Sequence, residues 1–225
     1  MLNYEVDPAC LSRYVPQGTQ LDSFQDKTYL SLVGFRFCGT KFRGYVPVPF
    51  HSEFEEVNLR FYVRRTTKDE VRRGVVFIAE IVPSQMIAKT ARWVYGENYV
   101  RRRMQHRVVE QGSEKSAEYG WRAADGWCTL RARTAGEPSL PKDGSLQQFI
   151  SEHYWGYSAQ KNQTSLEYRV EHDPWKIWTC SQSEFAGNPA DLYGDELSRI
   201  LRRPPDSAFV ADGSPVSVLS GQSIT

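Results

Sequence analysis

The chain has 225 residues, with 28 Lys and Arg against 27 Asp and Glu and a formal net charge of +1 at neutral pH. Charges that nearly cancel leave no field to gather nucleic acid or an anionic membrane, and no apolar run approaches the roughly 20 residues that a bilayer-crossing helix needs. Cys10, Cys38, Cys128 and Cys180 form no CxxC pair and no apolar leader follows Met1, so the sequence predicts a soluble cytoplasmic protein with neither a disulfide framework nor a zinc site.

In chain order, "DPACLSRYVPQG" predicts a short helix capped by Asp7, with Pro8 in its first turn and Pro16 and Gly18 ending it. "KTYLSLVGFRF" reads as a strand covered on both faces. After the Pro47 and Pro49 loop, "FHSEFEEVNLRFYVRR" alternates strictly: Val57, Leu59, Phe61 and Val63 on one parity, Glu56, Asn58, Arg60, Tyr62 and Arg64 on the other. Such a strand meets two different environments, and the pattern leaves open whether the polar row faces water or lines a pocket. "RGVVFIAEIVP" is a further strand, and Met86, Ile87, Ala91, Val94 and Tyr95 form a helical stripe closed by Gly96. "YVRRRMQHRVVE", "SAEYGWRA" and "GWCTLRART" predict an antiparallel meander. "SLQQFISEHY" predicts a Ser-capped helix, "SLEYRVEH" and "WKIWTC" two strands, "DELSRILRR" a short amphipathic helix, and "SAFVADGSPVSV" a hairpin about Asp212 and Gly213. Roughly eight to ten strands with a few short helices define an α+β or barrel-like domain rather than alternating βα units.

Chemistry-bearing motifs are sparse. His51, His106, His153 and His172 never fall at the spacing of a metal pair, and GxSxG, GxxxxGK[ST] and GxGxxG are absent. The run Arg101 to Arg103 offers forked donors for phosphate or carboxylate, though charge runs ordinarily lie in water. "EHYWGY" sets His153 beside Tyr154, and "EYRVEHDPW" places Tyr168, Val170 and His172 on one strand face. A histidine among aromatics is ordinarily a satisfied core residue.

Several stretches carry a resemblance over almost the whole chain. "MLNYEVDPACLSRYVPQGTQLDSF", "YLSLVGFRF", "VPFHSEFEEVNLRFYVRR", "GVVFIAEIVP", "SLQQFISEHYWGY", "DLYGDEL" and "SAFVADGSPVSV" resemble the YqjF-like family, a bacterial group without an assigned activity. The N-terminal pattern and a carboxylate on a following strand also resemble, more remotely, acetoacetate decarboxylase. This second resemblance implies a curved, mostly antiparallel sheet closing into a cone or barrel around a ligand cavity, with an inward glutamate where Glu56 falls. The decarboxylase reacts through a lysine kept neutral to form a Schiff base. The corresponding stretch here, "YGENYVRRRM", carries Arg101 to Arg103, and arginine stays protonated. Lys89 is the nearest lysine, on the predicted helix. The resemblance implies that family members begin a short way ahead of "MLNYEVDP", where the decarboxylase carries a site arginine.

The resulting expectation is a single YqjF-like domain over residues 1–225 that binds a small carboxylate- or carbonyl-bearing molecule, with no cofactor and no metal. Arg60 and one of Arg101 to Arg103, Arg102 among them, would partner the anion. Asn58, Tyr62, His153, Tyr154, Tyr168 and His172 would line the pocket. The alternative is an enzyme using Glu56 as general acid/base on an enolisable carbonyl, helped by His153 or His172. A third reading is a structural or partner-binding β domain. Neither nucleic acid nor membrane is expected as a partner, and the oligomeric state is not encoded legibly.

Overall fold

The computed structural model describes residues 1–38, 41–42, 46–47, 53–86, 88, 96–112, 114–160 and 163–225. The strands are β1 (Leu2–Val6), β2 (Gln20–Leu21), β3 (Thr28–Cys38), β4 (Lys41–Phe42), β5 (Val46–Pro47), β6 (Glu53–Thr66), β7 (Val71–Val82), β8 (Tyr99–Arg101) and β9 (Met104–Gln111). They continue as β10 (Glu114–Ala123), β11 (Gly126–Thr134), β12 (Trp155–Ala159), β13 (Ser165–Glu171), β14 (Ile177–Ala186), β15 (Ser207–Ala211), β16 (Ser217–Val218) and β17 (Gln222–Ile224). The helices are short: α1 (Pro8–Leu11), α2 (Leu146–Ser151) and α3 (Ala190–Leu201).

Backbone pairing runs β16-β13-β12-β7-β6-β3-β1-β15-β14-β11-β10-β9, with β2, β8 and β17 as side branches and β4–β5 apart. Most pairs are antiparallel, but β7 pairs in parallel with β8 and β12. The mostly β expectation holds. The two ends of the path are not paired with each other among the described residues, so backbone hydrogen bonds do not close the predicted cone or barrel. Side chains fold the far end back instead. The Tyr119 ring of β10 lies so close over Gly34 of β3 that a Cβ there would sit 2.7 Å from its Cδ2. His106 Nδ1 of β9 comes within 3.5 Å of Glu55 Oε2 on β6.

The apolar parity of β6 supplies the main core. Val57, Leu59, Phe61 and Val63 pack with Leu2, Tyr4, Leu30, Leu32 and Ile81. Trp121 from β10 and Tyr193, Leu197 and Leu201 from α3 cover them. On the opposite face of the same sheet, Tyr62, Val75 and Tyr29 cluster with Phe149 of α2 at one end, and Val82, Tyr99 and Phe54 with Ala88 at the other. Between these two apolar patches lies the polar row of β6.

Local signals acted as read at several points. Asp7 Oδ1 accepts from the Ala9 amide at 2.8 Å to cap α1, and Ser145 Oγ accepts from the Gln148 amide at 3.2 Å to cap α2. The meander β9-β10-β11 forms in antiparallel register. Other expectations need correction. Gly194, at φ 76°, breaks α3, so the expected "DELSRILRR" helix is only its second half. The C-terminal hairpin does not form: β15 is taken on both edges by β1 and β14, so β16 pairs with β13 instead. Strand β1 passed unread because it is short and runs straight into the α1 cap. Of the helical stripe, Ile87, Ala91, Val94 and Tyr95 lie outside the described residues, as do Lys89 and His51.

Candidate functional site

The polar parity of β6 is buried at Glu56, Asn58 and Tyr62, half-buried at Arg60 and exposed at Arg64. Exposure is 1% at Glu56 and 2% at Asn58. Two further carboxyls join them, Glu80 at 2% and Glu97 at 7%. Register explains the meeting: Asn58 faces Glu80 across the β6–β7 pair, and Glu80 faces Tyr99 across β7–β8. A β-bulge in β7 sets this up. The register slips between Leu59 and Arg60, which face Ala79 and Phe77, so Phe77 and Glu80 share one face although three residues apart.

Within the cluster, Asn58 Nδ2 donates to Glu56 Oε1 at 3.2 Å, and the Tyr168 hydroxyl donates to Glu97 Oε1. The Glu80 carboxyl meets those of both Glu56 and Glu97. Burial pushes Glu56 up to about 8, with Glu97 adding repulsion. Burial likewise lifts Glu97 to about 7, and holds Glu80 well above the carboxylate range with help from its two neighbours. Among the described residues no lysine or arginine is a cause of these shifts. Glu56 and Glu80 therefore stay mostly protonated at neutral pH and Glu97 about half so, because ionising three buried, mutually repelling carboxyls is costly.

That protonation has a measurable sign. Each folded-state pKa lies above the unfolded value near 4.5, so the contribution to stability is complete below about pH 4.5 and is lost as pH rises through the folded values near 7 to 8. Urea unfolding of Glu56→Gln is expected to show a shallower loss between pH 5 and 8, by up to about 1.4 kcal/mol per pH unit for the one proton removed. An unchanged slope would refute this assignment of Glu56. The partner of Glu56 is another acid, not Arg60, so its loss in Glu56→Leu strands no arginine.

The second half of the row points elsewhere. Arg60 is half-buried and its Nη2 donates to the Ile150 carbonyl at 3.2 Å. Tyr62, buried, shares a 2.7 Å hydrogen bond with Ser31 Oγ. His153 is buried against Tyr62 and Phe149, with ring centroids 4.7 and 5.0 Å away. Its Nε2 comes 3.5 Å from Asp22 Oδ2, an ion-pair distance without hydrogen-bond alignment, and neither ring nitrogen makes a hydrogen bond among the described residues. Burial drops His153 to about 4, so it is neutral at pH 7 and the charge partner of Asp22 is Arg73, at 2.7 Å.

The structure thus brings Glu56, Asn58 and Tyr168 into one cluster, and Arg60, Tyr62 and His153 into a second on the same face. Three expected pocket residues stand outside both. Arg102 reaches Asp191 at 3.4 Å, between exposed Arg101 and Arg103. His172 stacks on Trp175 at 4.3 Å with its Nδ1 at the Asp173 carbonyl, and Tyr154 packs on that histidine. β8 ends at Arg101, which turns the arginines off the face. Glu80, Glu97 and Tyr99 went unpredicted. Glu80 had a signal: a lone carboxyl inside "VVFIAEIV", a run that reads as buried on both sides. Beside the second cluster, a surface depression of about 450 Å³ is lined by Phe24, Arg73, Phe149 and Glu152, among others.

The architecture is that of the acetoacetate-decarboxylase-like fold. The acetoacetate decarboxylase of Legionella pneumophila superposes with a TM-score of 0.66 at 11% identity, covering 100% of this chain and 83% of that one. The enduracididine biosynthesis enzyme MppR, complexed with the condensation product of pyruvate and imidazole 4-carboxaldehyde, superposes at 0.70 with 13% identity, covering 99% and 85%. By sequence, the chain belongs to the DUF2071 family of uncharacterized conserved proteins, whose profile matches residues 1–215. It is 24% identical over 202 residues to the uncharacterized protein YqjF of Bacillus subtilis (strain 168), covering 87% of this chain and 78% of that protein.

Proposed function

We propose that this protein binds a small carboxylate- or carbonyl-bearing molecule along the polar face of β6, with Arg60 as the anion partner and without a lysine Schiff base. One observation carries the reading. Eight buried side-chain polar atoms lack a hydrogen-bond partner among the described residues, and six of them lie on this face: Glu56 Oε2, Asn58 Oδ1, Arg60 Nε, Glu80 Oε2 and both His153 nitrogens. Folded proteins leave few such atoms, so six together mark a place built for something else to complete. A protonated carboxyl is also a hydrogen-bond donor, which suits a carbonyl oxygen. MppR, of the same fold, is described in complex with pyruvate. On this reading the sheet wraps the face as a cone within one domain of residues 1–225, in a reducing cytoplasm that suits four free cysteines.

Native mass spectrometry of freshly purified protein is expected to show a bound acid or carbonyl compound, and Glu56→Gln to weaken its retention. Recovery of ligand-free protein from several expression hosts would count against the proposal. The near-neutral titration of Glu56 and Glu97 supports a second reading, general acid/base chemistry on an enolisable carbonyl. Its readout is deuterium uptake into the pyruvate methyl group by NMR, lost in Glu56→Gln.

A further inference from the structure

The unpartnered atoms of the acidic cluster are all oxygens. Asn58 spends its amide nitrogen on Glu56 Oε1, which leaves its buried Oδ1 within the cluster and without a donor. Glu56 Oε2 and Glu80 Oε2 share that condition. A protonated primary amine offers three N–H donors and no acceptor, the complement of three free oxygens. It also brings the positive charge that three buried carboxyls lack among the described residues. A metal ion fits less well: no group of three His, Cys, Asp or Glu among the described residues is placed to hold one.

The far end of the row has the opposite character. Arg60 keeps its buried Nε without an acceptor, while only Nη2 is engaged by the Ile150 carbonyl. Four residues of strand separate Glu56 from Arg60, about 13 Å between Cα atoms at 3.3 Å per residue. The row is therefore acidic at one end and cationic at the other, bounded by the Val82–Tyr99 and Tyr62–Phe149 apolar patches.

We propose that the ligand is an amino carboxylic acid with its two charges at opposite ends, the ammonium seated on Glu56, Glu80 and Asn58 and the carboxylate on Arg60. This rests on the reading above that a carboxylate-bearing molecule lies along β6. Ammonium binding drives protons off the trio, so ligand uptake at pH 7 releases protons to the buffer.

Isothermal titration calorimetry of the full chain with 4-aminobutyrate, 6-aminohexanoate and 8-aminooctanoate, each against the alkanoate of equal length, tests this. At least one amino acid is expected to bind about tenfold tighter than its alkanoate, with net proton release in buffers of different ionisation enthalpy. Glu56→Gln and Glu80→Gln, checked for folding by circular dichroism, should erase that advantage. If either variant fails to fold, the other and the proton release still decide. Alkanoates binding as well as amino acids would overturn the ammonium seat and leave the proposed function standing. No binding by either series, with no co-purified carboxylate, would overturn both.

Discussion

Glu167→Ala is expected to lower the unfolding free energy by about 3–5 kcal/mol, read as a shift in urea midpoint. Glu167 lies on β13 with its side chain fully buried, and it joins four elements. Arg65 Nη1 of β6 donates to it at 3.0 Å, Arg72 Nη1 of β7 at 2.6 Å, the Tyr157 hydroxyl of β12 at 3.0 Å and Gln222 Nε2 of β17 at 2.8 Å. Three of the four donors, the two arginines and the buried Tyr157 hydroxyl, are charged or buried groups that lose their acceptor on truncation. Burial alone would raise this carboxyl, but the hydrogen bonds from Gln222, Tyr157 and Arg65 outweigh it and hold it below the usual range. With the folded pKa depressed, its contribution is present above the unfolded pKa near 4.5 and is lost as pH falls, the reverse of the Glu56 trio. Glu167→Gln keeps the shape and should cost less than the alanine variant. A loss under about 1 kcal/mol for Glu167→Ala would mean the arginines find water instead.

Gly156→Ala is expected to cost about 2–4 kcal/mol and to disturb the acidic cluster from a distance. Gly156 on β12 faces Tyr168 on β13, and the tyrosine ring lies across it. A Cβ at 156 would stand 2.1 Å from Tyr168 Cζ and 2.4 Å from its hydroxyl oxygen. Tyr168 is buried and donates to Glu97, so its ring has nowhere to swing without losing that bond. Glu97, deprived of a donor that favours its charged form, should titrate still higher. In a Tyr168→Ala background the same Gly156→Ala change should cost less than about 1 kcal/mol, because the clash is gone. Additive costs in this cycle would show that the glycine serves some purpose other than seating the ring.

Burial of Glu56 and Asn58 was half legible in the sequence. Strict alternation identified which residues share a face, and a strand whose other face is Val57, Leu59, Phe61 and Val63 had to bury that face. Whether Glu56 met water or a partner depended on β7 and β8, whose contribution passes through a bulge that no periodicity announces. Glu97 is harder still: it sits before β8 and reaches the site only because β8 pairs in parallel with β7. The arginine run misled for the same reason, since chemistry readable at Arg101 to Arg103 says nothing of where a strand ends.

The sequence by itself determined the composition class, the strand-rich architecture, the caps at Asp7 and Ser145, the two-faced character of β6 and the family to which the chain belongs. These are local or near-local properties, set by side-chain alternation and by turn and cap chemistry within a few residues. Tertiary structure alone decided the company of Glu56, the place of β16 beside β13, and the Tyr168 ring lying over Gly156. Each of those joins residues distant along the chain, and long-range register is settled by how whole faces pack, which no short stretch of sequence contains.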